Sequence, residues 1–103
     1  MSYQILRTDR ANEQLFSAIQ YIAEDSDSVD IALNYLDGLE KAVKRLEDAP
    51  YIGSYPRYRT LKKQGFRVLI FSRHLIFYKV NEEQKQIIIY AVFDAKQNYI
   101  NLI

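Results

Sequence analysis

Up to Pro50 the apolar residues of this chain recur at spacings of three and four; beyond Gly65 they run in blocks of six or seven. Ala11, Leu15, Ala18, Ile19 and Ile22 form one stripe, and Ala32, Tyr35, Leu36, Leu39, Ala42, Val43 and Leu46 form a second. One-sided stripes at this spacing predict amphipathic helices over residues 9–25 and about 29–48. Thr8 and Asp9 are good N-caps for the first, the polar stretch 24–28 separates the two, and Pro50 ends the second. The turn is so short that the helices must lie antiparallel. Gly38 falls inside the second helix, where it predicts a close approach between the two.

The blocks beyond Gly65 have a different character. Phe66–Phe71, Leu75–Val80 and Ile87–Phe93 are rich in Val, Ile, Phe and Tyr and are closed by polar residues. Their length and composition predict strands. Ser72-Arg73-His74 and the stretch 81–86 are short enough for hairpin turns, so the three strands form an antiparallel meander. Residues 3–7 read as an earlier strand. The 50–65 segment, with both prolines and two of the three glycines, reads mostly as loop. The predicted fold is α+β: an N-terminal strand, then an antiparallel helical hairpin packed on a mainly antiparallel β-meander, in the order β-α-α-β-β-β. The 103 residues form a single domain.

Composition narrows the chemistry. There is no cysteine and only one histidine, which excludes disulfides and any thiolate or His-cluster metal site. No cofactor motif is present, neither a phosphate loop nor a nucleophile elbow. No apolar run approaches the length of a membrane span, and the polar N-terminus does not read as a signal peptide, so the cytoplasm is the expected compartment. The net charge of +1 conceals an asymmetry. Residues 1–48 carry ten acidic side chains against five basic ones. Residues 49–81 carry no acid and seven bases: Arg57, Arg59, Lys62, Lys63, Arg67, Arg73 and Lys79. Such a half points to a polyanionic partner, or simply to attraction between the two halves.

Within the basic half, Tyr51, Tyr55 and Tyr58 interleave with Arg57 and Arg59. Arg and Lys hold phosphate and Tyr can stack on unpaired bases, so Arg57, Arg59, Lys62, Lys63 and Arg73 are candidate RNA or phosphate ligands. The competing account is a solvated loop pinned by its tyrosines. Arg67 sits in a strand, where it either reaches an edge, faces a groove or pairs with a helix carboxylate. His74, in the predicted turn, is a candidate general acid or base, although a lone His is more often an ordinary surface residue. Lys96 and Tyr99 follow the last strand, where Tyr99 could stack or donate a proton, or simply pack.

The order of these segments resembles the RelE/ParE superfamily of bacterial type II toxins. Pro50, Ile52 and Gly53 match its P-x-x-G junction; Phe66-Arg67-Val68-Leu69 resembles its YR-x-L strand. Leu75–Val80 resembles its Y-x-x-F-Y-R-V strand, and Ala95–Tyr99 sits where one branch has GRRDY. The resemblance implies a toxin neutralised by a cognate antitoxin, touching DNA only through that antitoxin. RelE-like members cut mRNA on the ribosome without a metal, using basic residues with a Tyr or His. On that basis Arg67, His74, Lys96 and Tyr99 are the expected catalytic residues, and ribosome-dependent mRNA cleavage the expected activity. ParE-like members instead inhibit DNA gyrase and are not nucleases; a non-toxic partner in a repressor complex is a further alternative. Leu75 stands where nuclease members carry a strand Arg, and Lys96, Gln97 and Asn98 stand for the Arg-Arg-Asp of GRRDY.

Overall fold

The computed structural model describes residues 2–96. Strand β1 (Gln4–Arg7) leads into helix α1 (Asp9–Ser26) and helix α2 (Val29–Lys44), which tightens into a 3-10 turn at Arg45–Glu47. A short helix α3 (Arg59–Lys63) precedes strands β2 (Arg67–Phe71), β3 (His74–Asn81) and β4 (Gln86–Asp94). The sheet runs β1-β4-β3-β2, with β1 parallel to β4 and the other pairs antiparallel. The expected β-α-α-β-β-β order and meander are therefore present.

Local chemistry sets the helix ends. The Thr8 hydroxyl accepts from the Ala11 N–H at 3.1 Å and donates to the Tyr90 carbonyl at 3.2 Å, so one N-cap both starts α1 and fastens it to β4. Ser28 caps α2 by accepting from the Ile31 N–H. Asp27, between the helices, takes the left-handed conformation that closes α1. Because β1 ends at Arg7, the remainder of β4 is paired only on its β3 side among the described residues; on the open side the Gln14 side chain accepts from the Val92 N–H at 2.8 Å.

The sheet is buried on both faces. On the hairpin face Ala11, Leu15, Leu39, Ala42, Val43 and Leu46 meet Leu69, Ile76, Tyr78, Ile87, Ile89 and Val92. On the other, the outer face, Leu61, Phe66, Val68, Phe77, Ala91 and Phe93 form a second cluster. A register shift opposite Phe77 and Tyr78 separates the two sets on β4. Ile87 and Ile89 face the hairpin before it and Val92 after it, and Tyr90 is left without a partner directly opposite. A bulge of this kind leaves one residue unpaired and re-aims its neighbours.

The 50–65 segment is mostly loop, as expected, but it also holds α3, whose Leu61 is buried in the outer cluster, and a bridge between Ser54 and Val68. Two expectations need correcting. Gly38 does not mark an approach of the two helices; a Cβ there would lie 2.9 Å from the Phe71 ring, so it admits the sheet instead. His74 is not in the turn. The turn is Ser72-Arg73, with Ser72 at a φ of 52°, and His74 is the first residue of β3.

Candidate functional site

The basic segment is fastened down at its start. Tyr78 is fully buried, and its hydroxyl donates to the Pro50 carbonyl at 2.8 Å and accepts from the Gly53 N–H at 3.0 Å. This explains the glycine: a Cβ at residue 53 would lie 2.5 Å from the Tyr78 hydroxyl and 2.8 Å from the Val68 carbonyl. Arg67 completes the clamp. Its terminal nitrogen donates to the carbonyls of Tyr51 and Gly53 at 3.0 and 2.9 Å, and its guanidinium lies over the rings of Tyr51 and Tyr55. Arg67 thus reaches backbone carbonyls at the edge of the sheet rather than a helix carboxylate. Tyr51 also donates to the Glu82 carboxylate, which pushes its phenol up to about 12 and ties the loop to the β3–β4 turn.

The expected phosphate ligands follow this clamp. Arg57, Arg59, Lys62 and Lys63 are all exposed, on α3 or just before it. Arg57 lies 5.8 Å from the Tyr58 ring centroid, and the Lys62 ammonium 4.4 Å from that of Tyr55. The interleaving seen along the chain is therefore real in space. Cations rest on tyrosine rings, and none of these four makes an ion pair among the described residues.

The second group lies at the far end of the β2–β3 hairpin. His74 is buried at 5% exposure, with Nδ1 2.7 Å from the Tyr35 hydroxyl on α2. Burial pushes its imidazole below the ordinary value, opposed by Asp94, while Arg73 adds to the lowering. Burial likewise raises the Tyr35 phenol. Arg73 is exposed, lies over the Tyr21 ring and comes within 3.9 Å of Asp94. A groove of about 530 Å³ opens here between α1 and the ends of β3 and β4, lined by Glu13, Gln14, Tyr21, Arg73, His74 and Asp94. Lys96 is exposed just beyond β4, its N–H bonded to Asp94. Tyr99 lies outside the described residues.

The expected catalytic residues are thus not assembled into one centre among the described residues. Arg67 pairs across the sheet with Tyr78, and His74 with Phe71, four residue steps apart, or about 13 Å by strand rise. Both point to the hairpin side, as the alternation with Leu69 and Ile76 requires, and not to the outer face. The described residues contain no group of three or more His, Cys, Asp or Glu able to hold a metal, and no helix among them is long and apolar enough to cross a membrane. The sequence reading missed two structural hydroxyls, those of Tyr35 and Tyr78. It also missed Arg10, which lies over the Phe93 ring on the outer face. An acidic helix gave no local reason to single out one arginine.

Comparison with known proteins adds a family. A family model described as the ParE toxin of the type II toxin–antitoxin system parDE matches residues 5–99. No curated protein sequence matches. Among solved structures, a chain of the chromosomal ParDE system from P. aeruginosa is similar, with a TM-score of 0.74 at 16% identity, over 92% of this chain and 98% of that one. A chain of the RelBE2 toxin–antitoxin complex from Mycobacterium tuberculosis gives a TM-score of 0.62 at 17% identity, over 91% and 99%. At such identities the likeness to these structures is one of fold.

Proposed function

This chain belongs to the family of ParE toxins of type II toxin–antitoxin systems, and from that premise we propose that it inhibits growth by binding DNA gyrase, with a cognate antitoxin holding it inactive. The observation that carries the choice of mechanism is the dispersal of the groups a nuclease would use. Arg67 holds the carbonyls of Tyr51 and Gly53, and His74 is buried against Tyr35 at the other end of the hairpin. Leu75, where nuclease relatives carry an arginine, packs on the outer apolar cluster. Proton transfer to and from an RNA 2′-oxygen needs an acid and a base within reach of one atom. A surface that binds a protein target needs no such convergence.

The cognate antitoxin has a structural reason as well as a family one. Phe16, Val29, Ile31 and Leu33 stand exposed on the helices, and Ile70 on the edge strand β2, apolar positions of the kind that a partner helix or strand covers. Both similar solved structures come from toxin–antitoxin systems. The test is a supercoiling assay with purified gyrase and micromolar toxin, run with and without the product of the adjacent gene. Inhibition relieved by that product is the expected result, and unaffected supercoiling refutes the gyrase reading.

A second reading, ribosome-dependent mRNA cleavage, is favoured by one observation: the exposed cations of Arg57, Arg59, Lys62 and Lys63, interleaved with Tyr55 and Tyr58. It predicts new mRNA 5′ ends on induction without antitoxin. Growth arrest with no new ends leaves the gyrase reading standing alone.

A further inference from the structure

The outer face holds a cleft that neither reading uses. It has a volume of about 340 Å³ and lies between the first turn of α1, the C-terminal end of α3 and strands β3 and β4. Its donors are Arg10, Lys79 and the Gln64 amide, and its apolar wall is made by Phe66 and Tyr90. Thr8 also lines it, but the Thr8 hydroxyl is occupied as a donor to the Tyr90 carbonyl and as the acceptor that caps α1.

The two cations are held by rings instead of by carboxylates. The Lys79 ammonium lies 4.5 Å from the Phe66 ring centroid and 5.3 Å from that of Tyr90; the Arg10 guanidinium lies 5.7 Å from the Phe93 centroid. Those rings pack edge to face, Phe66 on Tyr90 at 5.4 Å, so they fix where the ammonium can rest. The ion pairs among the described residues are Arg7–Glu40, Lys41–Asp37 and Arg73–Asp94, and none involves the cleft. Its lining contains no carboxylate. The bulge in β4 is what turns Tyr90 out of the ladder beside Ala91, so the wall of the cleft is a built feature of the sheet. Gln64 follows α3 directly, so the cleft also continues the exposed row of Arg59, Lys62 and Lys63.

We propose that this cleft binds a phosphate group of a nucleic-acid strand, with Arg10 and Lys79 as the phosphate ligands and Tyr90 as the ring on which an adjoining base packs. Two cations that make no ion pair among the described residues supply the charge, and the size is at the lower end of small-ligand sites, enough for one nucleotide unit. Planar rings beside the cations favour a nucleotide over an acidic peptide, whose carboxylates bring nothing to stack. The inference does not depend on which target the toxin inhibits, since gyrase carries DNA and the ribosome carries mRNA.

The test is fluorescence anisotropy of the purified full chain with three labelled probes of roughly 12 nucleotides each: single-stranded RNA, single-stranded DNA of the same sequence, and duplex DNA. Arg10→Gln and Lys79→Met, which keeps the stem on the rings, should each weaken binding about five- to tenfold near 50 mM salt. Each should also reduce the slope of log affinity against log salt by about 0.7 for single strands or 0.9 for duplex. Lys41→Gln, on the helical side, should change neither, and the thermal midpoints of the variants report that they fold. Preference for RNA over the matching DNA assigns the site to the 2′-hydroxyl-bearing strand; preference for duplex assigns it to DNA; either supports the proposal. It is overturned if no probe binds near 50 mM salt, or if both cleft variants fold and bind like the parent. It is overturned equally if a glutamate-rich peptide of similar length binds more tightly with the same dependence on Arg10 and Lys79.

Discussion

Ile76 and Phe77 are neighbours on β3, and both are fully buried. Ile76 faces the helical hairpin among residues drawn from two long amphipathic stripes. Phe77 faces the other way, in a cluster with Phe66, Phe93 and Leu61, the last brought there by a five-residue helix in a basic segment. One core is closed by periodic sequence; the other is closed by a polar loop that has to be fastened before it can cover anything. The fastening is done by the hydroxyl of Tyr78 and the guanidinium of Arg67, both acting from the hairpin side of the sheet. The outer cluster therefore depends on polar contacts made on the opposite face, whereas the hairpin cluster depends on its own apolar area.

Truncating each of the two neighbours in turn tells the two cores apart most directly. Ile76→Ala should cost about 2–5 kcal/mol and Phe77→Ala about 3–5 kcal/mol, as befits residues with no exposure. Chemical denaturation measures both. If Phe77→Ala costs less than about 1 kcal/mol, the outer cluster is a surface patch and not a second core.

The clamp comes next in size. Tyr78→Phe removes one hydroxyl and leaves the Gly53 N–H and the Pro50 carbonyl without that partner in a buried setting. The expected loss is about 2 kcal/mol, or roughly 10 °C in Tm for a domain of this length. A thermal melt reads it. A loss below about 0.5 kcal/mol would mean that water replaces the hydroxyl and that the loop is not held from beneath.

How much of this was legible in the sequence follows from the same contrast. The stripes from Ala11 to Ile22 and from Ala32 to Leu46 announced two helices because each carries its period over several turns, and the structure places them at Asp9–Ser26 and Val29–Lys44. The three apolar blocks announced the meander for a similar reason. Leu61 was illegible, since one leucine between Arg59 and Lys63 has no period to declare it. The β4 bulge was illegible too, because the run from Ile87 to Phe93 is apolar throughout and looks alike with or without it. His74 was misplaced by one residue, and in a strand one residue exchanges turn for sheet and solvent for core. Of the candidate site, the cations were legible but not their partners. Nothing in Phe66-Arg67-Val68 shows that the arginine meets two carbonyls some fifteen residues upstream.

Arg67 therefore offers a finer test. Arg67→Met keeps much of the stem but loses both carbonyl bonds, and should cost about 1–2 kcal/mol, since the group is only half-buried. Lysine should not restore it, because a single ammonium does not reproduce the planar fork. The informative readout is hydrogen exchange at Ser54 and Val68, whose amides bond one another's carbonyls at 2.8 Å. Faster exchange there, with growth inhibition retained, makes Arg67 a clamp. Loss of inhibition with exchange unchanged makes it a contact to the target, and the account of the dispersed site fails.

The smallest effect concerns the hairpin side alone. The His74 imidazole is pushed below its ordinary value of 6.5 by burial, so the folded protein resists protonation that the unfolded chain accepts. The groups facing it are Tyr35 from α2, Arg73 beside it and Asp94 across the sheet on β4. Asp94 opposes the shift and Arg73 adds to it. The unfolded chain binds more protons once the pH drops below about 6.5, so stability is fully present above that value and declines as pH falls toward the lowered folded value. Denaturation midpoints measured from pH 7.5 down to 5 should show that slope, and His74→Gln should lose it while remaining folded. A slope that survives the substitution belongs to the carboxylates. A wild-type stability that rises on acidification would mean that the imidazole is charged in the folded state, with Asp94 prevailing over burial.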